Sequence, residues 1–257
     1  MAELIAINPQ LHATLRIQPE QAEFHSRGIQ LLPVVPAEFA SIATQSPIVL
    51  TTNGQTGQFV TVAMLGFAPG ENLWFTDGRW QGAYLPLHLQ RQPFFLGQSG
   101  DNGQGDYVLC IDPDSPALVL DHSAALVLDQ SPALDATECT ETLFNDTGAD
   151  SAYLQQIKGV LAELLQGEQQ QQQLVQALLA ANLMQPLSLE ITFANQQSTR
   201  LNGLYTIDQQ KLAALDAATL IQLHQAGWLA PIYTIIASAA QLYPLIARKN
   251  QQLTGAA

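Results

Sequence analysis

The residues best suited to chemistry crowd into one stretch, GRWQGAYLPLHLQRQPFFL, Gly78–Leu96. It holds two of the chain's nine Lys and Arg residues, Arg79 and Arg91, together with Trp80 and Tyr84. A guanidinium beside an aromatic ring offers a planar fork of donors and can clamp a carboxylate or a peptide. Asp77, Arg79, Trp80, Tyr84 and Arg91 are therefore the candidate ligand-binding residues. The same residue types also serve architecture. Two arginines can pin an acidic loop such as Asp101–Asp114 while Trp80, Tyr84, Phe94 and Phe95 fill a core, and a chain this poor in cations favours that use.

Other constellations are weaker. Between Asp101 and Asp150 stand eleven of the 22 acids and no Lys or Arg. Asp112 and Asp114 in DPDSP could offer hard oxygens to Ca²⁺ or Mg²⁺, but the glycine and the later glutamate of a calcium loop are missing, and a solvated acidic face is the plainer reading. Cys110, Asp112 and His122 have the types of a thiol nucleophile, an orienting acid and a base, yet Cys110 sits in YVLCI, an ordinary buried-strand pattern. The five histidines never fall at metal-ligand spacing. No GxSxG, P-loop, HExxH or CxxC motif occurs, and GQGDYV lacks the third glycine of a dinucleotide loop. No catalytic residue, metal ligand or cofactor is assigned. Cys110 and Cys139 are expected as reduced, buried small hydrophobes.

Charge narrows the partners. The net charge is −13 and the charged fraction only 12%. Nine scattered cations cannot neutralise many phosphates, which argues against nucleic acid as a partner and equally against docking on an anionic membrane. The N-terminus MAELIAINPQLHATLRI carries no export signal, which predicts a cytoplasmic protein. The apolar run Leu229–Ala240 spans about twelve residues, short of the roughly 20 a membrane crossing needs, and reads as a core helix.

Elements that could position these residues follow from periodicity. PIVLT (Pro47–Thr51) and QFVTVAMLGF (Gln58–Phe67) flank Asn53-Gly54, a hairpin signal, and Asp77-Gly78 marks a further turn after Leu73–Phe75. ALVLDHS and ALVLDQS, Ala117–Ser131, echo each other as two arms of a hairpin. From Ser151 the apolar period becomes helical, with one helix to Gln166, a second opened by the glutamine run after Gly167, and Pro186 ending it. Leu187–Ala194 and Thr199–Ile207 alternate as a second hairpin. Asp208 caps a short helix, Gly227 stops the next, and a last helix from Pro231 buries Ile232, Ile235, Ile236, Ala239 and Leu242 until Pro244 kinks or ends it. The whole reads as one α+β domain: an antiparallel meander over 1–150, helices plus a hairpin over 151–248, and a loose tail at 249–257.

LLPVVPAEFA (Leu31–Ala40), SPIVL, Met64–Leu96 and YVLCIDPDSP, followed by LNGLYTIDQQKLAAL and Leu220–Leu242, resemble the SapC-like family of bacterial proteins from roughly Leu11 to Arg248. GRWxGxYxP followed by RxPF is the most specific piece. Gln92 departs from the aromatic usual there, and Tyr233-Thr234 and Ser238 stand where relatives look like IYxHLxSL, without the histidine. The family takes its name from a surface-layer protein, and its neighbourhood of receptor and modifying-enzyme genes implies an accessory role. The same name is borne by a peptide-transporter permease, which a chain without spanning segments cannot be. The reading is thus an accessory or binding protein for a peptide, a carboxylate ligand or a protein partner. An enzyme with an unfamiliar or metal-dependent site, using acids of 101–150 with His88 or His122, and a surface-layer structural protein remain the alternatives.

Overall fold

The computed structural model describes residues 4–98, 107–119 and 140–255. The packing divides into two compact units, Met1–His25 with Leu89–Glu163, and Ser26–His88 with Leu164–Ala257. Each unit draws on both the strand-rich and the helix-rich half, and the fold is α+β with antiparallel sheets.

The second unit is built on a five-stranded sheet ordered Met184–Thr192, Ser198–Ile207, Ile48–Thr52, Phe59–Met64, Leu31–Pro33. The Asn53 turn forms as expected: its side chain accepts from the Gln55 and Thr56 amides, and Gly57 (φ 68°) supplies the left-handed residue. The C-terminal hairpin joins this meander directly, with Leu204 opposite Thr51 and Tyr205 opposite Leu50. Pro33 and Pro186 both lie in the two edge strands, where a missing N–H breaks no ladder. Pro186 therefore does not end a helix. The preceding helix stops earlier, at Ala180, where Asn182 (φ 52°) turns the chain and Leu183 N–H reaches the Leu178 carbonyl at 2.9 Å.

That helix is one continuous element, Ala152–Ala180, rather than two. Its apolar stripe runs through the glutamines: Leu164, Gly167, Gln171, Leu174 and Leu178 are all buried. Gln171, though buried, has a polar partner: its side chain lies 2.9 Å from the Thr61 hydroxyl, which is itself 2.7 Å from the Val34 carbonyl.

Asp208 caps Gln209–Ala213 by accepting from the Gln210 and Lys211 amides. Asp216 caps Ala217–Gln225 through the Thr219 amide and hydroxyl, which hold its carboxyl below the usual range. Gly227 (φ 78°) ends that helix. The helix Leu229–Ser238 buries Ile232 and Ile235 against Phe39–Ile42 and the strands Ile48–Thr52 and Ser198–Ile207. Ser238 fastens it, accepting from the Ile48 amide at 2.8 Å and donating to the Ile235 carbonyl at 2.7 Å. Ile236 and Leu242 are half-buried, while Ala239 faces solvent.

Two expectations for the C-terminus need correction. Pro244 neither ends nor disrupts the helix. A 3-10 step, Ala239–Gln241, leads into Leu242–Thr254, and Pro244 sits in the first turn of that segment, where its missing N–H costs little. The tail from residue 249 is accordingly helical to Thr254 and tied down, since the Asn250 side chain accepts from the Ala194 amide at 2.8 Å. Leu229–Thr254 thus forms 26 helical residues, and its most apolar 18-residue window has a mean hydropathy of 1.4, long and apolar enough, by length and composition alone, to cross a membrane. The apolar run read from sequence was less than half that length.

The first unit closes over Ile17, Phe94, Ile111, Leu143, Leu154 and Ile157. Two three-stranded sheets flank this core, ordered Ile5–Ala6, Tyr107–Ile111, Phe94–Gln98 and Leu118–Val119, Arg16–Ile17, Glu141–Thr142. Of the repeated ALVLD arms only Ala117–Val119 is described, and its strand pairs with Arg16–Ile17. The rest of that expected hairpin lies outside the described residues.

Candidate functional site

Asp77 and Gly78 form the expected turn, with φ 55° and 79°, and join the strands Phe75–Thr76 and Arg79–Trp80. Asp77 and Arg79 are exposed at its tip. Trp80 and Tyr84 are half-buried and used internally. The Trp80 indole donates to the Tyr84 carbonyl at 3.0 Å. Gln45 completes the lock: its Nε2 donates to the same carbonyl at 2.8 Å, and its Oε1 accepts from the Tyr84 amide at 3.0 Å. The loop is so tight that a Cβ on Gly82 would meet Trp80 Nε1 at 2.5 Å and Gln45 Oε1 at 2.8 Å. The spacing in RWxGxY is thus a steric requirement of a closed loop.

A second staple lies one step along. The carboxylate of Glu38 accepts from the Val35 amide at 3.1 Å and, through its other oxygen, from the Leu87 amide at 3.0 Å. Glu38 and Gln45 therefore tie the PAEFASIATQ segment to the end of the GRWxGxYxP segment. Sequence reasoning missed both, because nothing local marks a glutamate or glutamine as the partner of an amide 49 or 39 residues away.

The cation that does lie over a tryptophan is Arg248. Its guanidinium stands 3.8 Å from the ring centroid of Trp74, whose ring is 6.4 Å from Trp80. The neighbouring Lys249 pairs with Glu71, which also accepts from the Phe67 amide at 2.6 Å.

Arg91 belongs to the first unit, whereas Asp77, Arg79, Trp80 and Tyr84 belong to the second. Its Nη1 donates to the Phe94 carbonyl at 2.7 Å, and the guanidinium lies 4.1 Å from the Phe95 ring centroid. It braces its own strand.

In the same unit DPDSP folds into a turn, with Asp112 accepting from the Asp114 amide at 3.0 Å. Cys110 is a buried free thiol beside the Val108 carbonyl. His122, Cys139 and much of the acidic run lie outside the described residues, and among the described residues no His, Cys, Asp and Glu cluster could hold a metal ion. Tyr153 packs edge-on to Phe94, and burial first, then the Glu141 charge, pushes its phenol up to about 12.

A pair unforeseen from sequence is His25 and Ser115, with Nε2 and Oγ 2.8 Å apart. The Ser115 oxygen accepts from the Ala117 amide at 3.2 Å, so the pair ties the 3-10 helix Pro19–Ser26 to the DPDSP turn. Burial chiefly lowers the His25 pKa, Arg91 adds to this, and Asp112 opposes it. Between that lowered value and the ordinary 6.5, the unfolded chain holds more protons than the folded one. The site's contribution to stability is complete above pH 6.5 and is lost as pH falls towards the folded value. His25→Asn is expected to flatten this acid-side decline, read as urea midpoints on either side of pH 6.5; an unchanged pH slope would remove His25 from the account.

Comparison with known proteins places the chain as a whole. A family model described as SapC matches residues 7–245. No curated protein and no solved structure matches.

Proposed function

This chain belongs to the SapC family, and we propose that it serves as an accessory binding protein that docks on another protein through the exposed side of its last helices. One observation carries the reading. In Leu229–Thr254 only 22% of the most apolar window is buried. The outward face carries Ala230, Tyr233, Ala237, Ala240, Pro244 and Ala247 at helical spacing, with Tyr233 55% and Tyr243 77% exposed. Contiguous apolar surface of this kind marks an interaction site.

Charge chooses the occupant. The helical stretch has two charged residues, Arg248 and Lys249, and both are engaged, on Trp74 and Glu71. No cation is left on the strip for anionic headgroups, and a net charge of −13 repels such a surface. A protein bearing a matching uncharged apolar strip fits. A photo-crosslinking residue placed at Tyr243 is expected to give a discrete protein adduct in cells, with none from the same probe at exposed Gln156. Adducts to lipid, flotation of the purified chain with vesicles, or equal labelling from both positions would refute the docking role.

A carboxylate ligand at the hairpin tip is the second reading, supported by the exposure of Asp77 and Arg79 ahead of Trp80. Arg79→Ala should then abolish binding of a carboxylate-terminated peptide in a chain that still unfolds cooperatively. Binding that survives the substitution would discard this site.

A further inference from the structure

A groove of about 390 Å³ opens in the second unit, lined by Pro36, Gln170, Gln173, Gly227, Trp228 and Pro231. Its volume falls within the range of small-ligand and peptide sites. It is distinct from the helix strip of the proposed docking role, and its test is independent of that role.

Local sequence builds each wall. Gly227 (φ 78°) ends one helix and swings Trp228 out as the first residue before the next, where it forms no side-chain cap. Pro231 follows in the first turn of that helix. Pro36 opens the 3-10 turn Pro36–Glu38. Gln170 and Gln173, three residues apart, share one face of the long helix. No charged residue lines the groove.

Its hydrogen-bonding capacity is unspent. Among the described residues, neither the Gln170 and Gln173 amides nor the Trp228 indole N–H has a partner, in contrast to Gln171, which is bound to Thr61. An indole only donates, so the ligand must present acceptors beside it. Two proline rings and an indole face offer flat apolar surface, and the lack of charge selects a neutral ligand.

From these features we infer that the groove binds a proline-rich peptide segment in the polyproline II conformation. Such a segment has no internal hydrogen bonds, so its carbonyls point outward as acceptors, and each proline lacks the N–H that a donor-rich wall would leave unsatisfied. Its rings pack on Trp228, Pro36 and Pro231, while the indole and the two glutamine amides donate to its carbonyls. The conformation is largely preformed, which limits the ordering cost of binding in an open groove.

The test follows the three tryptophan indole resonances of the ¹⁵N-labelled full chain during titration with an oligoproline peptide. Trp228→Phe identifies its own signal by loss and keeps an aromatic face. The expected result is a saturable shift of the Trp228 indole signal, with those of Trp74 and Trp80 unmoved. The paired substitution Gln170→Ala and Gln173→Ala, at positions on the outer side of a helix, should weaken the apparent Kd about tenfold without changing the thermal midpoint. Trp228→Phe, followed through the shifts of groove backbone amides, should weaken it about fivefold. Absence of any shift would overturn the proposal. A shift produced by a neutral oligosaccharide but not by oligoproline would overturn it too, as would an affinity that the glutamine pair does not affect.

Discussion

Glu38→Ala should cost roughly 3 kcal/mol of unfolding free energy, the largest single loss expected from a side-chain truncation outside the apolar core. The residue is 3% exposed, and its two carboxylate oxygens answer two different amides, Val35 and Leu87. A hydrogen bond to a charged acceptor is stronger than a neutral one, and a buried donor left unpaired carries its full desolvation cost, about 1–3 kcal/mol each. Val35 ahead of the turn has no side-chain acceptor to take over, so only the glutamate half of a capping box operates here. Glu38→Gln separates charge from geometry. It keeps one acceptor but turns an NH2 against the other amide, so about half of the loss should remain. The measurement is a urea midpoint at constant slope for wild type and both variants. A Glu38→Ala midpoint indistinguishable from wild type would mean that water replaces the carboxylate and that the staple is not structural.

The staple also explains why some features could be read from sequence and others could not. Turns and caps were legible because donor and acceptor are neighbours: Asp77-Gly78, Asn53, Asp208 and Gly227 act within three or four residues of themselves. The returning hairpin was legible as alternation, although its place in the sheet beside Ile48–Thr52 was not. Of the five residues put forward as a clamp, the structure shows Trp80 and Tyr84 in a closed loop and Arg91 on Phe94 and Phe95, whereas Asp77 and Arg79 stand at an exposed tip. What closes that loop, Gln45, and what lies over Trp74, Arg248, are chosen by folding over long separations, and residue type alone does not reveal them. Trp228 and the glutamines beside it were hidden for the opposite reason. A glutamine run reads as low complexity, and only the helical register shows that Gln171 turns inward while Gln170 and Gln173 border a groove.

The same register makes a paired prediction on one helix. Gly159 and Gly167 both lie inside Ala152–Ala180, and helix propensity alone would have either gain up to about 1 kcal/mol on becoming alanine. Their surroundings differ. A Cβ at Gly159 would meet nothing within 4 Å, whereas one at Gly167 would lie 2.7 Å from both Cβ and Cγ2 of Val35. Real Cβ atoms do not approach that closely, and Val35 is 1% exposed, with a stiff, branched side chain that has no room to retreat. Overpacking of this kind costs about 1–3 kcal/mol. Gly159→Ala should therefore stabilise the protein by about 0.5–1 kcal/mol, and Gly167→Ala should destabilise it by about 1–2 kcal/mol after the propensity gain is subtracted. Relief confirms the cause. Val35→Ala in the Gly167→Ala background removes the atoms in conflict, so the double variant should be less destabilised than the two single losses added together. Gly167 then acts as the point of contact at which a long helix meets Val35, inside one continuous helix where two were expected. Were Gly167→Ala to stabilise the chain as much as Gly159→Ala, the close approach of helix and Val35, and with it the continuous buried stripe through Gln171, would be wrong.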